Sequence, residues 1–203
     1  MTGKNHLAKI VRPGCRLKAR VLGRLTSVIW LSLASPLAGA DEPQLEHKVK
    51  AACLYNFAAN TEWPAEAFPA PDAPLVVGLV GEVPFGALFE RGVQDKTVQG
   101  RRILVRHLDP SADPVGCHVL FLAALGETRL ASLLASAAAQ PVLTVGEAEG
   151  FAQSGGIINF IKVGGSVRFE VNTAAAARAH LKLGSQLLKL AVIVKDGGKP
   201  KKE

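Results

Sequence analysis

Between residues 44 and 61 apolar side chains recur every three to four positions, at Leu45, Val49, Ala52, Cys53 and Phe57. That is the spacing of one helical face, and Trp63-Pro64 follows just beyond it, where proline no longer interrupts helical hydrogen bonds. Residues 65–74, rich in proline and acidic breakers, predict a loop. The run LVVGLV at 75–80 is apolar without alternation, the pattern of a strand covered on both faces. A short helix over 85–92 enters through Pro84, and 101–108 alternates as a more exposed strand marked by Ile103 and Val105. CHVLFL at 117–122 predicts a second buried strand, 127–139 an Ala/Leu helix, 141–145 a strand and 150–154 a turn. Gly164-Gly165 separates two strand-like runs, 157–163 and 167–171, and predicts a hairpin. From Thr173 a last helical region extends to about Val194, with a break at Gly184. Strands alternating with helices, followed by a hairpin and a helix, predict an α/β fold: a three-layer α/β/α sandwich with a mixed central sheet.

Charge changes the picture at the start of the chain. The 203 residues hold 24 Lys+Arg and 17 Asp+Glu. Seven of the basic residues, and no acidic one, fall in the first forty, so 17 of each sign remain from Asp41 onward. The basic segment is followed by a short apolar stretch from Leu25 to Leu37 and by Ala38-Gly39-Ala40, which reads as a signal peptide cleaved after Ala40. The competing reading is an uncut anchor, but the apolar run falls short of the roughly 20 residues a spanning helix needs. The expected product is a periplasmic protein with one domain over 41–194 and a disordered polar tail over 195–203. Its balanced charge removes the nucleic-acid reading that a basic whole chain invites. Cys53 and Cys117 are the cysteines beyond the leader. In an oxidising compartment they form a disulfide or remain as two buried thiols, and the sequence leaves both open.

Catalytic and metal motifs are absent: no phosphate loop, no dinucleotide fingerprint, no nucleophile elbow and no histidines at ligand spacing. Cys117 and His118 are adjacent in a strand and point to opposite faces, so they cannot form a nucleophile pair. The chain is therefore read as a non-enzyme with no cofactor and no metal. Four polar features exceed what a core needs. Asn56 lies in an apolar helix beside Phe57 and ahead of Trp63; either Asn56 satisfies a loop and Trp63 plugs the helix end, or Phe57 and Trp63 face a partner or ligand. Asn159 sits among β-branched and aromatic strand residues. Asn172 or Thr173 is placed to cap the helix that follows. Arg178 either pairs with Glu170 or presents its guanidinium to a small acid.

Taken in order, these motifs resemble the YfiR family of small periplasmic proteins. The resemblance rests on KAACLYNF at 50–57 with Glu62-Trp63-Pro64, Pro84-Phe85-Gly86, GCHVLF at 116–121, PVLTV at 141–145, GGIINF at 155–160, RFEVN at 168–172 and SQLLKLA at 185–191. It implies a regulatory binding protein that represses an inner-membrane diguanylate cyclase through its periplasmic sensory region and so lowers cyclic-di-GMP. An outer-membrane-linked protein that sequesters the repressor is an implied second partner, and a homodimer suits a regulator of dimeric sensors. Two departures stand out: Cys53 replaces a usual Tyr or Phe while the family's cysteine pairs elsewhere are missing, so a redox switch does not carry over without test, and Gly184 stands where a small polar residue is usual, loosening the final helix. The competing reading is a periplasmic small-molecule-binding module, with Trp63 and Arg178 forming its pocket.

Overall fold

The computed structural model describes residues 42–197. The leader reading at 1–40 and the tail from 198 lie outside them. Helix α1 (Glu42–Ala59) leads into a two-residue strand β1 (Thr61–Glu62), a single 3-10 turn at Ala65–Ala67, and strand β2 (Leu75–Val80). Helix α2 (Gly86–Val93), strands β3 (Thr97–Val98), β4 (Arg101–Leu108) and β5 (Val119–Leu122), helix α3 (Glu127–Ala137) and strand β6 (Leu143–Gly146) follow. The hairpin β7 (Ile158–Val163) and β8 (Ser166–Asn172) precedes α4 (Thr173–Arg178), β9 (Lys182–Leu183), α5 (Ser185–Leu190) and β10 (Val192–Val194).

Eight strands form one mixed sheet in the order β10-β8-β7-β6-β5-β2-β4-β3. Strands β4, β2, β5, β6 and β7 are parallel, while β7–β8 and β3–β4 are antiparallel. The parallel strands are those with unbroken apolar runs, because both of their faces are covered. Val77, Leu79, Val119, Phe121, Leu143 and Val145 point into one core with α1 and α2; Val80, Leu120 and Leu122 point into a second core with Leu133, Leu134 and Ala137 of α3. This is the expected α/β/α layering.

Helix α1 is locked onto its face by rings. Phe57 lies 5.3 Å from Phe160 and 4.9 Å from Phe169; Phe121 reaches Phe160 at 6.4 Å and Phe85, at the entry to α2, at 4.9 Å. Charge fixes the upstream half of the helix. Lys50 bonds Glu46 and Glu147, each at 2.7 Å, and Glu46 also meets Lys162 of β7. Lys162 first, and then Lys50, pull the Glu46 carboxyl down to about 2.

In the second core Phe151 enters from the turn between β6 and β7. A Cβ on Gly146 or Gly156 would overlap its ring, so glycine is required on both sides of it. The hairpin turn uses Gly164 and Gly165 at φ 54° and 78°, the left-handed conformations of a two-residue loop.

Three expectations need correction. The last helical region is two short helices, α4 and α5, separated by β9, which pairs antiparallel with β1. The chain then ends in a strand, because β10 runs parallel to β8 with Ile193 beside Val171. Lys195–Gly197, assigned by composition to a disordered tail, is held: Asp196 accepts from Asn172 and Arg178, and the Gly197 N–H donates to Gln153 O at 3.0 Å. Polar composition does not reveal these long-range partners.

Gly156→Ala should destabilise the domain by about 1–3 kcal/mol through overpacking. Adding Phe151→Leu should restore part of the loss, so urea denaturation of the two single variants and the double variant should give non-additive free energies.

Candidate functional site

Phe57 is 1% exposed and sits at the centre of the ring cluster, so it offers no surface to a partner. Trp63 is also buried, and its indole N–H donates to the His118 carbonyl at 3.3 Å. Of the two readings for this region, the structure has the plug. The expected role of Asn56 is not met: its side chain is exposed, and it is its backbone carbonyl that accepts the side-chain amide and the backbone N–H of Asn60 at the helix end.

The plug belongs to a larger pillar under the amino ends of β2 and β5. The Val76 N–H donates to His118 Nδ1 at 3.0 Å, which leaves the proton on Nε2 facing Ala67 O, also at 3.0 Å. The imidazole stacks on Phe68 at 4.4 Å, and the Arg101 guanidinium lies 3.7 Å over the far side of that ring. Arg101 also donates to Ala70 O and Ala73 O. These contacts fasten the 65–74 loop to the sheet. Burial first, and the Arg101 charge after it, hold the His118 pKa below the ordinary histidine value, while the hydrogen bond to Ala67 opposes them. Sequence reasoning met His118 as half of a rejected nucleophile pair and missed this role; its position inside an apolar run was the available signal.

Cys53 and Cys117 are free thiols. Cys53 packs on the core under α1 and Cys117 on the core under α3, so the sheet separates them. Burial raises both thiol pKa values. The polar neighbour of the Cys117 sulfur is Arg106, at 3.9 Å.

The unusual chemistry gathers at the β8 end. Asn159 of β7 stands opposite Glu170 of β8, and both are buried beside Gln153. Gln153 Nε2 lies 3.3 Å from each carboxylate oxygen and Asn159 Nδ2 lies 3.4 Å from one of them. The amide oxygens Gln153 Oε1 and Asn159 Oδ1 have no hydrogen-bond partner. A buried carboxylate held by two long amide bonds, with two acceptors unpaired, is an under-satisfied cluster in a fold that is otherwise well paired.

Asn172 lies next to this cluster. Its side-chain oxygen accepts from Ala175 N at 2.9 Å, capping α4, while its Nδ2 donates to Ala152 O and Asp196 Oδ1 at 2.7 and 2.6 Å. The expected cap is therefore Asn172. Arg178 does not pair with Glu170; it donates to both oxygens of Asp196, which lies in the segment after β10. The cavity beside Arg178, between α3 and α4, admits about 10 Å³ and is lined by Leu134, Ala137, Val142, Ile157 and Ala175. That is room for about one water, against several hundred Å³ for a ligand pocket. Trp63 is not among its walls; its indole is engaged at the His118 carbonyl instead. In doubly wound sheets ligands enter where the strand order reverses, here between β2 and β5. Gly81, at φ 83°, lies there with Pro110, Ala123 and Leu125 as neighbours.

Among the described residues the large exposed apolar side chains are Leu45, Leu104, Val115, Leu190, Val192 and Ile193. Leu190, Val192 and Ile193 are 70%, 45% and 51% exposed, three large side chains within four residues at the end of α5 and along β10.

Two outcomes follow. Glu170→Gln supplies an amide donor for the unpaired amide oxygens of Gln153 and Asn159; it should raise unfolding free energy by about 1 kcal/mol, read by urea denaturation. Because the folded pKa of His118 is lowered, its contribution is complete above the ordinary value of about 6.5 and is lost as pH falls below it. Thermal midpoints taken between about pH 7.5 and pH 5 should fall in the native protein and fall less in His118→Asn. The ordinary glutamate pKa of about 4.3 keeps the Glu46 contribution out of that window.

The family model DUF4154, described as YfiR/HmsC-like, matches residues 47–192, from within α1 to the first residue of β10. No curated protein matches the chain.

Proposed function

The chain belongs to the YfiR/HmsC-like family, and on that premise we propose that it is a periplasmic regulatory binding protein that restrains an inner-membrane diguanylate cyclase. The match across the whole described domain carries this reading. It is supported by the exposed apolar residues at Leu190, Val192 and Ile193, a feature suited to protein contact. In this role the protein binds the cyclase's periplasmic region more tightly in its inactive state than in its active one, and that difference sets how far the population shifts. An outer-membrane-linked protein that competes for the regulator would release the cyclase by mass action. The basic, then apolar, first forty residues supply the export signal on which the mechanism depends.

Cellular cyclic-di-GMP should rise when the gene is deleted. It should return to the parental level with the full chain and not with a version lacking residues 1–40. An unchanged level in the deletion strain would refute the repressor role, and rescue by the leaderless version would refute the periplasmic one.

A further inference from the structure

A connection between parallel strands usually carries a helix, and that helix covers the sheet beneath it. From β2 to β4 the rule holds: α2 makes the crossover and sends Phe89 and Val93 into the first core. The next connection runs back past β2 to β5, in the opposite direction along the sheet. Right-handed crossovers in opposite directions lie on opposite faces, so this one belongs to the α3 side. Residues 109–118 make it with turns and no helix. Helix α3 does not fill the gap, because its Leu134 and Ala137 stand beside Val142, Thr144 and Ile157, toward β6 and β7. The second core therefore thins toward β4. Cys117 and Leu120 close over Gly78, but two residues earlier Val76 is half-buried, and its register partner Leu104 is 48% exposed. Val115 of the crossover is 71% exposed.

Arginines frame this apolar face. Arg102, Leu104 and Arg106 share one side of β4 by alternation, so an arginine stands about 7 Å along the strand on either side of Leu104. Arg106 Nη1 donates to Val115 O at 2.8 Å, and Arg129 of α3 donates to Pro110 O and Ala112 O, so the crossover is clamped in place. Arg102 is exposed and takes part in none of the ion pairs among the described residues. Of the acids in the crossover, Asp109 bonds Ser111 and Asp113 is exposed, so positive charge prevails around Leu104. The edge of β4 past Arg102 carries Arg106 and His107, charged or polar residues of the kind that guard against an added strand. What is open here is the face of the sheet.

We propose that this face docks an acidic amphipathic helix of a partner protein. The incoming helix takes the place of the one the crossover lacks, with its apolar stripe on Leu104, Val76 and Val115 and its carboxylates at Arg102 and Arg106. The spacings agree: four strand residues span about 13 Å, and helical residues seven or eight apart on one face span about 10.5–12 Å. Arginine pairs with carboxylate in a bidentate fork, which favours it over lysine at such a rim. An anionic lipid surface offers the same charge, but a flat bilayer does not reach the half-buried Val76. The site is separate from the apolar residues of α5 and β10, and the proposal does not depend on the cyclase reading.

The probe is a blocked peptide of about 15–18 residues with leucines at i, i+3, i+4 and i+7 and glutamates on both flanks. In isothermal titration calorimetry it should bind the purified protein, and more weakly as NaCl is raised. Arg102→Glu and Leu104→Asp should each weaken binding about tenfold or more at an unchanged melting temperature. Leu45→Asp, at an exposed apolar residue of α1, should leave it unaltered. A peptide with lysines in place of the glutamates should bind Arg102→Glu better than the native protein. Three results would each overturn the proposal: no binding of the acidic peptide up to about 1 mM, equal binding by native protein and both variants, or Leu104-dependent binding to phosphatidylglycerol vesicles without binding to the peptide. The last would assign the face to a membrane. Should Leu104→Asp misfold, the charge swap at Arg102 decides alone.

Discussion

The ring cluster around Phe57 is the contact on which the rest of the architecture depends. Helix α1 is polar over much of its surface, and its intrinsic propensity would not hold it against the sheet. What holds it is the buried face of Ala51, Leu54, Phe57 and Ala58, in which Phe57 reaches Phe160 and Phe169 on the two arms of the hairpin; Phe121 continues the cluster to Phe85 at the entry to α2. Each such pair is worth about 0.5–1.5 kcal/mol beyond the apolar area it buries. Their number matters less than their placement, because they join a helix near the start of the domain to a hairpin near its end. With α1 fixed, the Lys50 bridges to Glu46 and Glu147 can form, and the end of the helix delivers Trp63 to the His118 pillar. Contacts of high sequence separation therefore follow from the seating of this one helix face.

Polar strain is distributed unevenly over the molecule. The amino ends of β2 and β5 are closed by a fully partnered histidine, with both ring nitrogens used and both faces of the neighbouring Phe68 ring covered. The β8 end instead carries a buried carboxylate with long bonds to two amides whose own oxygens go unpaired. Local rules are most often broken where a protein does something besides fold. Here the break lies in the strand that supports the edge strand β10, since Glu170 is the register partner of Val192.

Much of this was legible in the sequence, for reasons that differ by element. Strands β2 and β5 announce themselves because burial on both faces leaves no polar position in LVVGLV or VLFL, and the hairpin is declared by Gly164-Gly165. Asn172 was legible as a cap because capping is a local interaction over three residues. The C-terminal strand was not: Val192-Ile193-Val194 continues a helix-compatible run, and only pairing with β8 makes it a strand. Trp63 and Phe57 were legible as special but not as buried, since aromatic residues serve cores and interfaces alike. Arg178 had Glu170 as its plausible partner in sequence, and the fold gave it Asp196 because Glu170 turns into the sheet while the segment after β10 returns to α4.

Asn172 shows how these levels meet. One carboxamide caps α4 through its oxygen, and through its nitrogen it ties both the turn that carries Phe151 and the segment that ends β10. Those bonds share a single rotamer, so they form or fail together. The turn, the last strand and the helix between them thus behave as one unit, although 20 to 24 residues separate Asn172 from Ala152 and Asp196. An edge strand of three residues would fray if left to its own ladder. Anchored at Asp196 through Asn172 and Arg178, it is instead presented as a fixed apolar rim, and a fixed rim loses less conformational entropy when it is covered than a mobile one does.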